Sequence, residues 1–227
     1  STALVTNVSQ VSDSLYNVTV SSGDLTDYNG TIGINLSESQ DIIDDAGNPL
    51  AQVEPASDEL YIVDNLVPTI ILAASVEPGG SSVIPEGSWQ PEVVFGENVL
   101  HDGSALAADN PHNYLLFQEG LNGRYDISSC EDAANSQIGD DILIPIGTAV
   151  YDDNNGAGPY VSTRTVNNGV DLPLGEYRLM VCGTTSISDL AGNILNGSIA
   201  DTVVTISVNR QYFFPIWFHK IPASRRT

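Results

Sequence analysis

The chain has 227 residues, 41% of them hydrophobic, with 29 acidic against 7 basic side chains and a formal net charge of −22. Every acidic residue precedes position 210, so the body carries a field that repels phosphate backbones and anionic lipid heads, which argues against nucleic acid as a partner. Two cysteines are too few for a disulfide scaffold or a cysteine-based zinc site, and no apolar run reaches the roughly 20 residues that span a bilayer.

Asn, Ser, Thr, Gly and Asp abound and no long helix-period pattern occurs, so the expected class is all-β with little helix. Taken in chain order, residues 1–66 offer Leu4 to Val8, then Leu15 to Val20 with Tyr16, Val18 and Val20 on one face. Thr31 to Leu36 follows, with Ile32, Ile34 and Leu36 on one face, and then Glu59 to Val63. Four strands leave an apolar face uncovered, so this stretch reads as part of a module that packs on a neighbour, another copy or a partner. Asp64-Asn65-Leu66-Val67-Pro68 is a short Pro-bearing connector, stiffer than a Gly/Ser tether.

Residues 67–209 supply eight expected strands: Thr69 to Ala74, Pro91 to Phe95, Asn113 to Phe117, Arg124 to Ser128, Asp141 to Val150, Tyr160 to Thr165, Tyr177 to Val181 and Thr202 to Val208. Ile142, Ile144, Ile146 and Val150 are expected on one core face, as are Val204, Ile206 and Val208. Residues 210–227 form a tail in which Tyr212 to Phe218 packs five aromatics into seven positions, followed by Lys220, Arg225 and Arg226. That tail reads as a final strand on the sandwich, or as a surface-attachment or docking element.

The turn Asp189-Leu190-Ala191-Gly192-Asn193 has an echo about 145 residues earlier in Asp44-Asp45-Ala46-Gly47-Asn48. Both suit a tight reversal in which Gly takes positive φ and the Asx side chains bond the local backbone. Strand, Asp-Leu-Ala-Gly-Asn turn, strand resembles the last third of the bacterial immunoglobulin-like domains of S-layer proteins and large surface adhesins. The pieces that carry the resemblance are Pro91 to Val99, Asn113 to Phe117, Leu174 to Val181 and Asp189 to Asn193, within roughly residues 69–209. Gly30 to Leu36, Asp44 to Asn48 and Tyr61 to Ile70 look like the end of a related repeat and its linker.

The resemblance implies an immunoglobulin-like β-sandwich in tandem with a partial first module. It also implies a non-catalytic stalk, S-layer or adhesin segment of a larger secreted or cell-surface protein, whose partners are neighbouring modules or other copies of itself.

Cys130 and Cys182 either form one disulfide or stay as free thiols. Cys182 has the parity opposite to Tyr177, Leu179 and Val181, so a bridge should lie at a sheet edge or outer face and tie down the loop after Ser129.

Two acidic sets invite structural Ca²⁺. Asp152, Asp153 and Asn155 precede Gly156, yet Tyr151 and Ser162 stand where an EF-hand needs an acid at its first and twelfth positions, so a hairpin turn competes with partial ligation. Asp44 and Asp45, with Asp64 and Asn65, could meet an ion at a module junction as cadherin linkers do; local Asx turns are the competing account. No nucleophile elbow, zinc-protease or nucleotide-loop signature occurs, and His101, His112 and His219 are isolated, so no enzyme is expected. Glycan or protein binding through Trp89, Tyr151 and Tyr160, and self-assembly through a strand accepted by the first unit, are the alternatives.

Overall fold

The computed structural model describes residues 1–37, 41–51, 53 and 59–210. The aromatic run from Tyr212 lies outside the described residues. Regular structure is almost entirely β, and the chain divides into two compact units, one of residues 1–67 with 189–193 and one of residues 68–188 with 194 onward.

In the first unit, β1 (Leu4–Ser12) and β2 (Leu15–Ser21) form an antiparallel hairpin, while β3 (Gly30–Gly33) pairs with β4 (Leu60–Val63). The alternation that makes these strands has no core to fill. None of the described residues among positions 1–67 is buried, and Leu4, Val8, Leu60 and Ile62 are all more than half exposed.

The second unit stacks two sheets. One runs β10 (Ile146–Asp152), β11 (Tyr160–Val166), β7 (Glu92–Phe95), β5 (Ile70–Ala73). The other runs β6 (Ser81–Pro85), β13 (Thr202–Asn209), β12 (Gly175–Val181), β8 (Tyr114–Gln118), β9 (Ile142–Ile144). A single core joins them: Ile70, Val93, Phe95 and Val166 from the first meet Tyr114, Leu116, Tyr177, Leu179, Val181, Val204, Ile206 and Val208 from the second. Each such apolar side chain contributes roughly 1.5–3 kcal/mol by leaving water.

Three expectations need correction. Asp141 to Val150 is not one strand, because Pro145 has no amide to donate and the chain changes sheet there: β9 bonds β8, and β10 bonds β11. Ile144 is consequently buried, whereas Ile142 and Val150 are exposed, so the supposed shared face does not exist. Arg124 to Ser128 is a loop, since the amides of Asp126 and Ile127 donate to the Asp141 carboxylate and not to a ladder. Finally, β6 was not expected; its Ser-Ser-Val-Ile-Pro sequence is short, yet it pairs in parallel with β13.

Candidate functional site

The two matching turns are the same object bond for bond. Asp44 N donates to Asn48 O, and Gly47 N to Asp44 O; Asp189 N donates to Asn193 O, and Gly192 N to Asp189 O. In the first copy Asp44 Oδ1 accepts from the amides of Ala46 and Asn48 at 3.0 and 2.8 Å, and Asn48 Nδ2 donates to Oδ2 at 2.8 Å. In the second, Asp189 Oδ1 accepts from Ala191 and Asn193 at 2.9 and 2.8 Å, and Asn193 Nδ2 donates to Oδ2 at 2.8 Å. Gly47 and Gly192 take φ of 85° and 96°, a left-handed conformation that a Cβ would strain. The Asn48 side chain, and then its amide, hold the Asp44 carboxyl below the usual carboxylate range.

The residues expected to ligate calcium make the following contacts. Asp44 is committed to its own turn and Asp45 is an exposed turn residue beside it. Asp64 Oδ1 accepts from Leu66 N at 3.1 Å, and its carbonyl accepts from Asn193 Nδ2 at 3.0 Å. The Asn65 amide side chain donates to the carbonyls of Leu25 and Tyr28 at 3.1 and 2.7 Å, which ties β4 to the segment before β3. Asp152 and Asp153 each accept at Oδ1 from the amide two residues on, at 2.8 and 3.0 Å, and Asn154 and Asn155 carry positive φ. Asp44, Asp64, Asp152 and Asp153 thus each make an Asx turn, and Asn65 makes a long-range clamp.

The outer face of the five-stranded sheet is fastened by a disulfide, a capped helix and a cation–π contact. Tyr177, Leu179 and Val181 point into the shared core; Met180 and the neighbouring Cys182 point the other way and form a second cluster with Phe117, Ile127 and Cys130. Cys130 and Cys182 are joined, with Cα atoms 5.7 Å apart and 52 residues of sequence separation, on the face that the strand parity predicts.

Cys130 opens the short helix α1 (Cys130–Ala134), whose Ser129 cap and Asp132 form a capping box. The Ser128 hydroxyl, ahead of the local amides and Ser129, holds the Asp132 carboxyl below its ordinary value. Asp201 accepts from Cys130 N at 2.7 Å and from Thr184 N and Oγ1 at 3.0 and 2.8 Å, so one carboxylate clamps both sides of the disulfide. Arg178 Nη1 donates to Ile127 O at 2.9 Å, and its guanidinium lies 4.0 Å over the Tyr125 ring. The connection between β8 and β9 is thus sewn flat onto the sheet.

No family model and no curated protein matches this chain. Among solved structures, it is similar to the crystal structure of the N-terminal part of the bacterial S-layer protein SbsC, at 13% identity and a TM-score of 0.35. The likeness covers 63% of this chain and 24% of that one, so the chain spans about a quarter of the neighbour's length.

The aromatics considered for ligand binding are mostly engaged in structure. Trp89 is half-buried against the core. Tyr151 Oη donates to Asn98 Oδ1 at 2.9 Å, its ring stacks on His101, and burial pushes its pKa up to about 12. Tyr160 Oη donates to Gly156 O at 3.1 Å, bracing the hairpin turn.

One residue that sequence reasoning missed is Arg164. It lies on the inward parity of β11 with Ser162 and Val166, fully buried, its guanidinium 3.4 Å from the centre of the Tyr114 ring. Nη1 donates to Ser162 O at 2.8 Å, while Nε and Nη2 meet no acceptor. Desolvation pulls its pKa down. Among the described residues no helix is long and apolar enough to cross a membrane.

Proposed function

We propose that this chain is a non-catalytic structural segment of a secreted or surface-displayed protein, and that its second unit is an immunoglobulin-like sandwich serving as a stiff spacer. The strand order carries the reading. With β5, β7, β8, β10, β11, β12 and β13 in the places of strands A, B, C, D, E, F and G, one sheet reads A-B-E-D, and β13, β12 and β8 give G-F-C in the other. Support also comes from Tyr177, near the start of β12, whose hydroxyl donates to Pro173 O at 2.8 Å in the manner of a tyrosine corner. The disulfide departs from the inter-sheet bond of antibody domains, since it fastens the outer face. A bond of this kind persists in oxidising compartments, which favours an exported protein.

The mechanical argument rests on β6 and β13. Near the two ends of the unit, these strands run parallel over five paired positions, Ser81–Pro85 against Thr205–Asn209. A pull through the chain ends loads that ladder lengthwise, so its hydrogen bonds resist together and do not open one at a time.

Single-molecule stretching tests this. The second unit is expected to unfold in one event, and reduction of Cys130–Cys182 is expected to lengthen the released chain by roughly 180 Å, the span of the 52 residue steps from one cysteine to the other at about 3.5 Å each. Gradual yielding at negligible force would refute the spacer role.

Calcium is a reinforcing part of the proposal, bound at the Asp152–Asn155 turn or about Asp44 and Asp45. EDTA is expected to lower the melting temperature; an unchanged melt with no calcium in the purified protein removes the ion and leaves the sandwich intact.

A further inference from the structure

The first unit holds a cleft of about 730 Å³. Tyr16, Asn17 and Val18 of β2 line it, and so do Thr31, Ile32 and Gly33 of β3. Alternate residues of a strand point to opposite faces, so consecutive residues border one space only where the strand turns its edge to it. The cleft therefore separates the edges of β2 and β3. β1 and β2 form one two-stranded sheet and β3 and β4 another, so each of these edges lacks a ladder partner among the described residues.

A lone two-stranded sheet is marginal in water, whereas three or more strands with a shared apolar face are stable. One strand laid between the two edges bonds to both and merges the pairs into a single sheet, in the order β1, β2, inserted strand, β3, β4. A compact apolar molecule answers the site less well, because it leaves the amides and carbonyls of both edges unpaired.

Charge selects the source of that strand. Residues 1–67 contain 11 acidic side chains and no Lys, Arg or His. Two of the acids border the cleft through residues that line it: Glu59 Oε2 accepts from Tyr61 Oη at 2.7 Å, and Asp24 Oδ1 accepts from Ser1 Oγ at 2.7 Å. The first unit of a second copy brings the same sign of charge and is repelled.

We propose that the first unit is an acceptor for a strand of another protein in which apolar residues alternate with Lys or Arg. The apolar side chains continue the rows of Tyr16, Val18 and Val20 and of Ile32, the basic ones answer Glu59 and Asp24, and ladder bonds to both edges supply the rest of the contact. The proposal is independent of the spacer reading of the second unit.

Hydrogen exchange on the full chain tests this with a blocked seven-residue peptide, matched to the length of β2, in which valine and lysine alternate. At saturation, amide protection in Leu15–Ser21 and Gly30–Gly33 is expected to rise at least tenfold, while β12 in the second unit is unchanged. The same peptide with glutamate in place of lysine is expected to change protection less than twofold, as is one with its valines and lysines segregated into two blocks. Val18→Arg, at a partly exposed position on the cleft wall, is expected to weaken the alternating peptide at least tenfold. No rise in β2 and β3 with the alternating peptide would overturn the proposal, and so would an equal rise with either control or an undiminished effect in Val18→Arg. Protection that rises with protein concentration when no peptide is present would overturn it too, because that result assigns the cleft to a second copy.

Discussion

Replacing Cys130 and Cys182 together by serine is expected to lower the unfolding free energy of the second unit by about 4 kcal/mol, the chain-entropy value for a closed loop of 52 residues. For a unit of this size that corresponds to a drop in melting temperature of roughly 8–16 °C. The loss should be felt first on the outer face. Ile127, Cys130 and α1 cover Phe117 and Met180 there, and Asp201 and Arg178 are the remaining fasteners. Calorimetry of the double variant, or of the native chain under reductant, checks the size. A melting temperature within two degrees of the native value would mean that the hydrogen bonds of that face already confine the loop and that the covalent link adds little.

Arg164→Met is expected to act in the opposite direction, stabilising the second unit by about 2 kcal/mol, because a buried charge without a counter-ion is replaced by an apolar chain of similar length. The guanidinium has one well-paired nitrogen, on Ser162 O, and a ring beneath it; two of its nitrogens are desolvated without an acceptor. Arg164→Lys should destabilise, since an ammonium cannot lie flat on Tyr114 and is harder to strip of water. Chemical denaturation orders the three proteins. If the methionine variant proves the least stable, the stacked guanidinium contributes more than its desolvation costs, and Arg164 is a fastener of the core in its own right.

How much of this could be read from the sequence depends on which interactions are local. The strands β7, β8, β12 and β13 are visible because each alternates over a face that is buried in the same sense along its length. The Cys182 parity is visible for the same reason, and it places the disulfide on the outer face. The matching turns are visible because every bond in them lies within five residues.

What stayed hidden is set by distant partners. Arg164 occupies an inward position that the pattern around it does not announce, since Val161, Thr163 and Thr165 on the other parity look equally suited to a core. The loop at Arg124 to Ser128 has the composition of a strand and is turned aside by a carboxylate 14 and 15 residues further on. The switch of sheets at Pro145 is marked by a proline, but the destination of each half is not. In the acidic sets, the Asx turns of Asp44, Asp152 and Asp153 are local and were legible, whereas the reach of the Asn65 side chain to Leu25 and Tyr28, 40 and 37 residues away, was not.

The paired reversals also separate what must be kept from what is free to drift. In neither copy does the position after the leading aspartate contribute a side-chain bond to the turn: one copy has the acid Asp45 there and the other the exposed Leu190. Pro49 and Ile194, just beyond the asparagine, differ as well, although both join an equivalent bridge. The aspartate, alanine, glycine and asparagine are the shared letters, and all but the alanine are dictated by a side-chain bond or by backbone handedness. Any further copy of this reversal, in this chain or another, can be recognised by those fixed letters while the slots between them carry whatever charge or bulk the local surface requires.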